Sequence, residues 1–123
     1  MKKALILVAH GSRHADADST IRNITAGVRK RSGFDIVLHA FLQHSRPAPE
    51  EALEQCMVEG ATSIVIIPFF LQPGGHVLRD IPALVEKARR RYPTVAIQIT
   101  DLVGSHPLLE TIVIELARKC CVD

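Results

Sequence analysis

The sequence predicts an α/β domain, a three-layer αβα sandwich built on a four-stranded, mainly parallel sheet of flavodoxin-like order. Three observations predict it. Four short apolar runs alternate with four stretches of helical periodicity. The first and third runs, KALILVA and SIVII, are continuous rather than alternating, the pattern of strands buried on both faces. The chain has 123 residues and no repeat, linker or low-complexity segment, so one domain is expected.

Lys3–Ala9 is the first strand, ended by His10-Gly11-Ser12-Arg13. A helix follows from Asp16 or Asp18, either a suitable N-cap, to Arg31. Ile21, Ile24 and Val28 form its apolar stripe, and Arg29, Lys30 and Arg31 suit the negative end of its dipole. Gly33 breaks it, and Phe34–Leu42 reads as the second strand, ending in Gln43-His44-Ser45-Arg46. Pro47-Ala48-Pro49 opens a second helix, with Glu50 and Glu51 in its first turn, that runs to about Glu59, and Gly60 follows it. Ser63–Ile67 is the third strand and is expected to be central. Pro68 ends its ladder, and Pro73-Gly74-Gly75 lead through His76 into a third helix over Val77–Arg91. Its terminal Arg89-Arg90-Arg91 reads as a solvated helix end. Thr94–Thr100 alternates like an edge strand, residues 101–107 form a loop, and Leu108–Cys120 is the last helix.

With strand order 2-1-3-4, strands one and three are neighbours about 4.8 Å apart, and the residues after them share one rim. Ligands of open parallel sheets bind at that rim. His10 and His76 therefore face one crevice, and His44 and His106 lie on the same side. His14 and His39 read as structural or surface residues.

Composition narrows the chemistry. The chain is 47% hydrophobic and 23% charged, with no apolar segment near the roughly 20 residues that cross a bilayer. The N-terminal apolar run, about seven residues long, is too short for a secretory signal, so a cytoplasmic protein is expected. A net charge of +2 and an aromatic set of four Phe and one Tyr argue against nucleic acid. The three cysteines show no CxxC spacing and read as reduced thiols, with metal delivery by the Cys120–Cys121 pair as the alternative.

Two histidines in one crevice suit Co²⁺, Fe²⁺, Ni²⁺ or Zn²⁺, and can also move protons near neutral pH. Gly74-Gly75 before a helix leaves an anion site open as a second reading, although Walker and GxGxxG spacings are absent. No nucleophile elbow surrounds Ser12, which disfavours a hydrolase.

Four motifs in order carry a resemblance: His10-Gly11-Ser12-Arg13, Pro68-Phe69-Phe70-Leu71, Gly75-His76-Val77 with Asp80-Ile81-Pro82, and Gly104-Ser105-His106-Pro107. Together they resemble the small CbiX-type class II chelatases over nearly the whole chain. The resemblance implies a chelatase-like fold and ATP-independent insertion of a divalent metal into sirohydrochlorin. Cobalt is the foremost metal, with iron or nickel as alternatives, and no organic cofactor is implied. It further implies that His10 and His76 hold the metal, that His10 accepts a proton, and that Leu71, Gln72, Pro73, Gly74, Gly75 and His76 line the tetrapyrrole site. Arg13, Arg46 and Arg79 are candidates for holding substrate carboxylates. A chain of this length is expected to pair as a homodimer.

The chain departs from the family after strand two. A pattern like FLE..EP is usual, whereas here Phe41-Leu42 is followed by Gln43-His44-Ser45-Arg46-Pro47. Arg46 stands where a substrate-contacting glutamate is expected, a change of about two charge units. His44 is a possible compensating ligand, and a non-catalytic metal or tetrapyrrole carrier is the alternative function.

Overall fold

Four parallel strands in spatial order β2-β1-β3-β4 form the sheet: β1 (Lys2–Ala9), β2 (Ile36–Phe41), β3 (Ala61–Pro68) and β4 (Ala96–Ile99). The structure is a computed structural model that describes residues 1–121, with all their side chains except those of residues 15, 17 and 76–78. The helices are α1 (Ser19–Arg31), α2 (Pro49–Val58), α3 (Gly75–Arg91) and α4 (Leu108–Lys119). Short 3-10 turns at Ala15–Asp18 and Val103–Ser105 precede α1 and α4. The predicted α/β class, single sheet and strand order all hold.

β1 is central because it is apolar on both faces. Ala4, Ile6 and Val8 face one side with Ile64, Ile66, Ile97 and Ala40. The helices α2 and α3 cover that side through Ala52, Leu53, Cys56, Ile81, Val85 and Ala88. On the other side Leu5, Leu7, Val37 and Phe41 pack against Ile21 of α1. Burying side chains of this size stabilises by roughly 1.5–3 kcal/mol each, so the larger cluster dominates the core.

Several local expectations are refined. Strand β3 is central but buried on one face only: Ile64, Ile66 and Pro68 are buried while Ser63, Val65 and Ile67 are half-buried. The reason is that α1 covers β1 and β2 and stops there. Asp18 does occupy the N-cap of α1, yet its side chain makes no capping bond. Its carboxylate accepts a hydrogen bond from Ser45 Oγ instead, tying the start of α1 to the loop after β2. α3 begins at Gly75, two residues earlier than the periodicity implies, so His76 lies in its first turn. Pro82 sits inside α3, where its ring removes one backbone donor.

The final helix is the exception to the layered plan. Leu109 is half-buried and every other residue of α4 is exposed, including Leu108, Ile112, Val113, Ile114 and Leu116. Among the described residues, no helix is long and apolar enough to cross a membrane.

Candidate functional site

The carboxyl ends of the strands carry four loops, and backbone contacts tie them in two pairs. Leu42 N–H donates to the Ala9 carbonyl and Gln43 N–H to the His10 carbonyl, both at 3.0 Å, so the chain after β2 continues alongside the chain after β1. Gly11 makes this approach possible. Its φ is +96°, and a Cβ there would stand 1.8 Å from the Gln43 carbonyl oxygen. On the other half, Gly104 N–H donates to the Phe70 carbonyl at 2.9 Å, and a Cβ on Gly104 would lie 1.8 Å from the Leu71 carbonyl oxygen. Phe69 N–H donates to the Val8 carbonyl at 2.8 Å and joins the two halves through the β1–β3 ladder.

His10 is exposed at the centre of this rim. Its Nε2 lies 2.6 Å from Gln43 Nε2, and its ring meets the ring of Phe70 edge-on at 6.5 Å between centroids. With the Gln43 amide nitrogen donating, His10 Nε2 accepts, and the neutral ring carries its proton on Nδ1. The lone pair that would take a proton or a metal ion is therefore the one that Gln43 engages. Gln43 was absent from the residues singled out by sequence. The signal was an amide directly after Phe41-Leu42, where the resemblance calls for an acid.

The other predicted residues spread along the rim. His76 lies at the start of α3, and its side chain is outside the described residues. Leu71, Gln72, Pro73, Gly74 and Gly75 form an exposed run between β3 and α3, with Gly74 at the N-cap and Leu71 68% exposed. Arg13 is exposed beside Ser12. His44 is exposed and takes a left-handed conformation with φ 66°, which turns the loop so that Ser45 reaches Asp18. Arg46 turns toward α2, where its Nη2 pairs with Glu51 Oε2 at 2.5 Å; Glu51 Oε1 also accepts from Ala48 N–H at 3.0 Å. Both groups of that ion pair respond to it: the Glu51 carboxyl is lowered, first by the hydrogen bond from Arg46, and the Arg46 guanidinium is raised by the same bond.

His106 borders a trough of about 530 Å³, lined also by Ile67, Thr100, Leu102, Val103 and Pro107. A second depression of about 310 Å³ lies beside it, between Pro73, Pro82 and Asp101. His106 Nδ1 accepts the Leu108 N–H at 3.1 Å, which puts the proton of the neutral ring on Nε2. Volumes of this size suit organic ligands. Among the described residues no three His, Cys, Asp or Glu side chains converge as a metal cage. What they do present is the His10 imidazole beside Gln43 and Phe70, and the His106 imidazole at the edge of the apolar trough.

Comparison with known proteins matches this architecture to a family. The CbiX family model matches residues 4–120. The chain is 31% identical over 116 residues to the chloroplastic sirohydrochlorin ferrochelatase of Arabidopsis thaliana, covering 94% of this chain and 52% of that protein. It is 28% identical to the sirohydrochlorin cobaltochelatase of Priestia megaterium, covering 94% of this chain and 38% of that protein. Among solved structures, SirB from Bacillus subtilis with Fe³⁺ superposes with a TM-score of 0.89 at 28% identity, over 100% of this chain and 49% of that chain. The chain thus spans about half the length of the curated relatives it matches, or less, and relatives of both metal specificities are similar to it. With the model matching almost every residue from β1 to the end of α4, the chain belongs to the CbiX family.

Proposed function

We propose that the chain inserts a divalent metal, cobalt foremost and iron or nickel as alternatives, into sirohydrochlorin without ATP. It is read as acting in the cytoplasm as a homodimer. The observation that carries the reading is His10 on the open rim, its Nε2 2.6 Å from Gln43 Nε2. Insertion of M²⁺ requires two pyrrole N–H protons to leave as the metal–nitrogen bonds form, so the site needs a base that titrates near neutrality. A neutral imidazole serves as such a base and as a ligand that releases its metal, although one lone pair cannot do both at once. His10 therefore delivers the ion, with His76 as the second ligand, then takes one of the two protons, and the other leaves to solvent at the open rim.

Gln43 acts in that sequence through its amide. With Nε2 toward His10 it blocks the lone pair, and rotation by half a turn offers Oε1 as an oxygen donor instead. The exposed run from Leu71 to Gly75 and the trough beside His106 supply apolar surface for the macrocycle. Arg13 and Arg79 are the candidates for holding carboxylates at its edge. Arg46, already paired with Glu51, retains only part of its charge for substrate.

A carrier without insertion is the second reading. It is favoured by a neutral Gln43 and a cationic Arg46 where the family pattern has acids, since both weaken the attraction for M²⁺. A competition assay with Co²⁺, Fe²⁺ and Ni²⁺ on sirohydrochlorin, followed by the absorbance change of the macrocycle, separates the two. Insertion that is lost in both His10→Ala and His76→Ala supports the chelatase. Tight tetrapyrrole binding with no insertion of any metal supports the carrier, and unchanged rates in both variants would sink the site assignment.

A further inference from the structure

Asp18 is a buried carboxylate for which helix capping gives no account. It is only 6% exposed and stands at the N-cap of α1, yet its side chain makes no bond to the helix. Thr25, likewise buried, differs in bonding to the Ile21 carbonyl of its own helix. A carboxylate is expensive to bury unless it is hydrogen-bonded. The bond that Asp18 accepts comes from Ser45 Oγ, 27 residues away. Ser45 Oγ also lies 3.3 Å from the Ser12 carbonyl oxygen, so one hydroxyl meets both the loop after β1 and the start of α1.

The loop that Ser45 holds is the one that carries Gln43. Gln43 N–H donates to the His10 carbonyl at 3.0 Å, and the Gln43 carbonyl accepts from Ser45 N–H at 2.8 Å. Between them His44 has φ 66°, a conformation that a non-glycine residue keeps only where its surroundings hold it. Gln43 and His44 are exposed, so the half-buried Ser45 supplies that hold. At the other end of the turn, Gln43 Nε2 stands 2.6 Å from His10 Nε2. We propose that Asp18 and Ser45 are positioning residues for His10. Their bond fixes the turn over residues 43–45, the turn aims the Gln43 amide at His10 Nε2, and the ring is thereby kept with its proton on Nδ1. Which ring nitrogen carries the proton is set by the bond that the other makes, so a loop that swings releases the choice. The consequence for catalysis rests on the reading of His10 as ligand and base given above. The placement of the proton does not.

Nitrogen-15 NMR of the His10 ring tests this on the full chain without metal, at about pH 8, above the ordinary imidazole range. The wild type is expected to show Nδ1 protonated and Nε2 accepting. In Gln43→Ala and in Ser45→Ala the two ring signals are expected to move toward the average of the two tautomers. Asp18→Ala combined with Ser45→Ala leaves no buried carboxylate unpaired and is expected to give the same shift. Ser45→Thr keeps the hydroxyl and is expected to restore the wild-type signals. In the insertion assay Ser45→Ala is expected to lose about tenfold in kcat with the tetrapyrrole KM unchanged. Signals that stay in place in both Ser45→Ala proteins, even with a lowered urea midpoint, overturn the proposal, because the bond is then only structural. A wild type with its proton on Nε2, or a Ser45→Thr protein that behaves like Ser45→Ala, overturns it as well. Signals that move while kcat stays at the wild-type value overturn the role in the reaction. If the signals move as expected and the wild type inserts no metal, the proposed reaction fails and the positioning of His10 stands.

Discussion

The two halves of the rim are fastened by the same device and differ in what it holds. After β1 and β2, Gly11 admits the Gln43 carbonyl, and the loop so placed puts Gln43 against His10. After β3 and β4, Gly104 admits the Leu71 carbonyl, and the loop so placed is the exposed apolar run before α3. One half positions a nitrogen lone pair and the other positions a surface. The first is secured by several bonds, including Ser45 to Asp18 and the two backbone bonds from residues 42 and 43. The second is held, among the described residues, by the bond from Gly104 to Phe70 and by Thr100 N–H to the Ile66 carbonyl at 3.0 Å, and no side-chain bond joins its two loops. In the proposed reaction, the chemistry that needs sub-ångström placement falls to the better-fastened half.

Breaking the first fastening has the largest expected effect. Gly11→Ala combines a left-handed φ of +96° with a Cβ 1.8 Å from a backbone oxygen that cannot swing away. Left-handed strain and overpacking together cost about 4 kcal/mol. The urea midpoint is expected to fall accordingly, and metal insertion to vanish. A midpoint within experimental error of wild type would mean that the two loops are not in contact.

Gly104→Ala is expected to act more gently, because its backbone lies outside the left-handed region and only the clash with Leu71 remains. The cost should be about 2 kcal/mol, and the loop from Leu71 to Gly75 should shift outward. Tetrapyrrole affinity then falls about tenfold, equivalent to about 1.4 kcal/mol. If Gly104→Ala destabilises as much as Gly11→Ala, the two halves are not fastened differently.

Much of this layout was legible in the sequence, and the misses have physical causes. The strand order was expected from the four alternating β-α units, and the burial of β1 from KALILVA, whose residues are apolar on both faces. SIVII looked the same yet has one half-covered face, because apolar continuity reports what can be buried and not what lies over it. The stripe of α4 is silent in the same way: it identifies a face without naming its partner. Asp18 was legible as an N-cap by position, but Ser45, remote in sequence, takes its side chain. Gln43 was legible only as a departure from the resemblance, because an amide carries no titratable signal, and the contact with His10 is what gives it a partner.

Gln43 provides a sharper test of the half that holds the chemistry. In Gln43→Glu a carboxylate next to His10 adds a negative charge and an anionic oxygen ligand to the proposed metal site. Co²⁺ affinity, measured by calorimetry, is expected to rise about tenfold. Gln43→Ala frees the His10 lone pair without adding a ligand and should change affinity by less than the carboxylate does. Equal affinities in wild type and Gln43→Glu would show that residue 43 does not face the bound metal.

The smallest expected effect lies beneath the same half, on the α1 face of β2. His39 Nε2 accepts from Arg22 Nη1 at 3.2 Å, which leaves the proton on Nδ1, a buried atom with no hydrogen-bond partner. Its pKa is lowered by burial first, then by Arg22 and Arg29, against a smaller opposing pull from Asp18. Protonation would turn an N–H toward a guanidinium that only donates. The unfolded chain, with an ordinary imidazole near 6.5, binds this proton at a higher pH than the folded chain does. Stability from His39 is therefore complete above about pH 6.5 and is lost as pH falls from there toward the lowered folded value. His39→Gln keeps a polar side chain and cannot titrate. It is expected to flatten the stability–pH curve just below pH 6.5, while Arg46→Gln, which removes the bond that lowers the Glu51 carboxyl, acts only at the lower pH where carboxylates titrate. A curve unchanged by His39→Gln would show that another group sets the acid limb, and that the packing of α1 under the better-fastened half is insensitive to charge at this position.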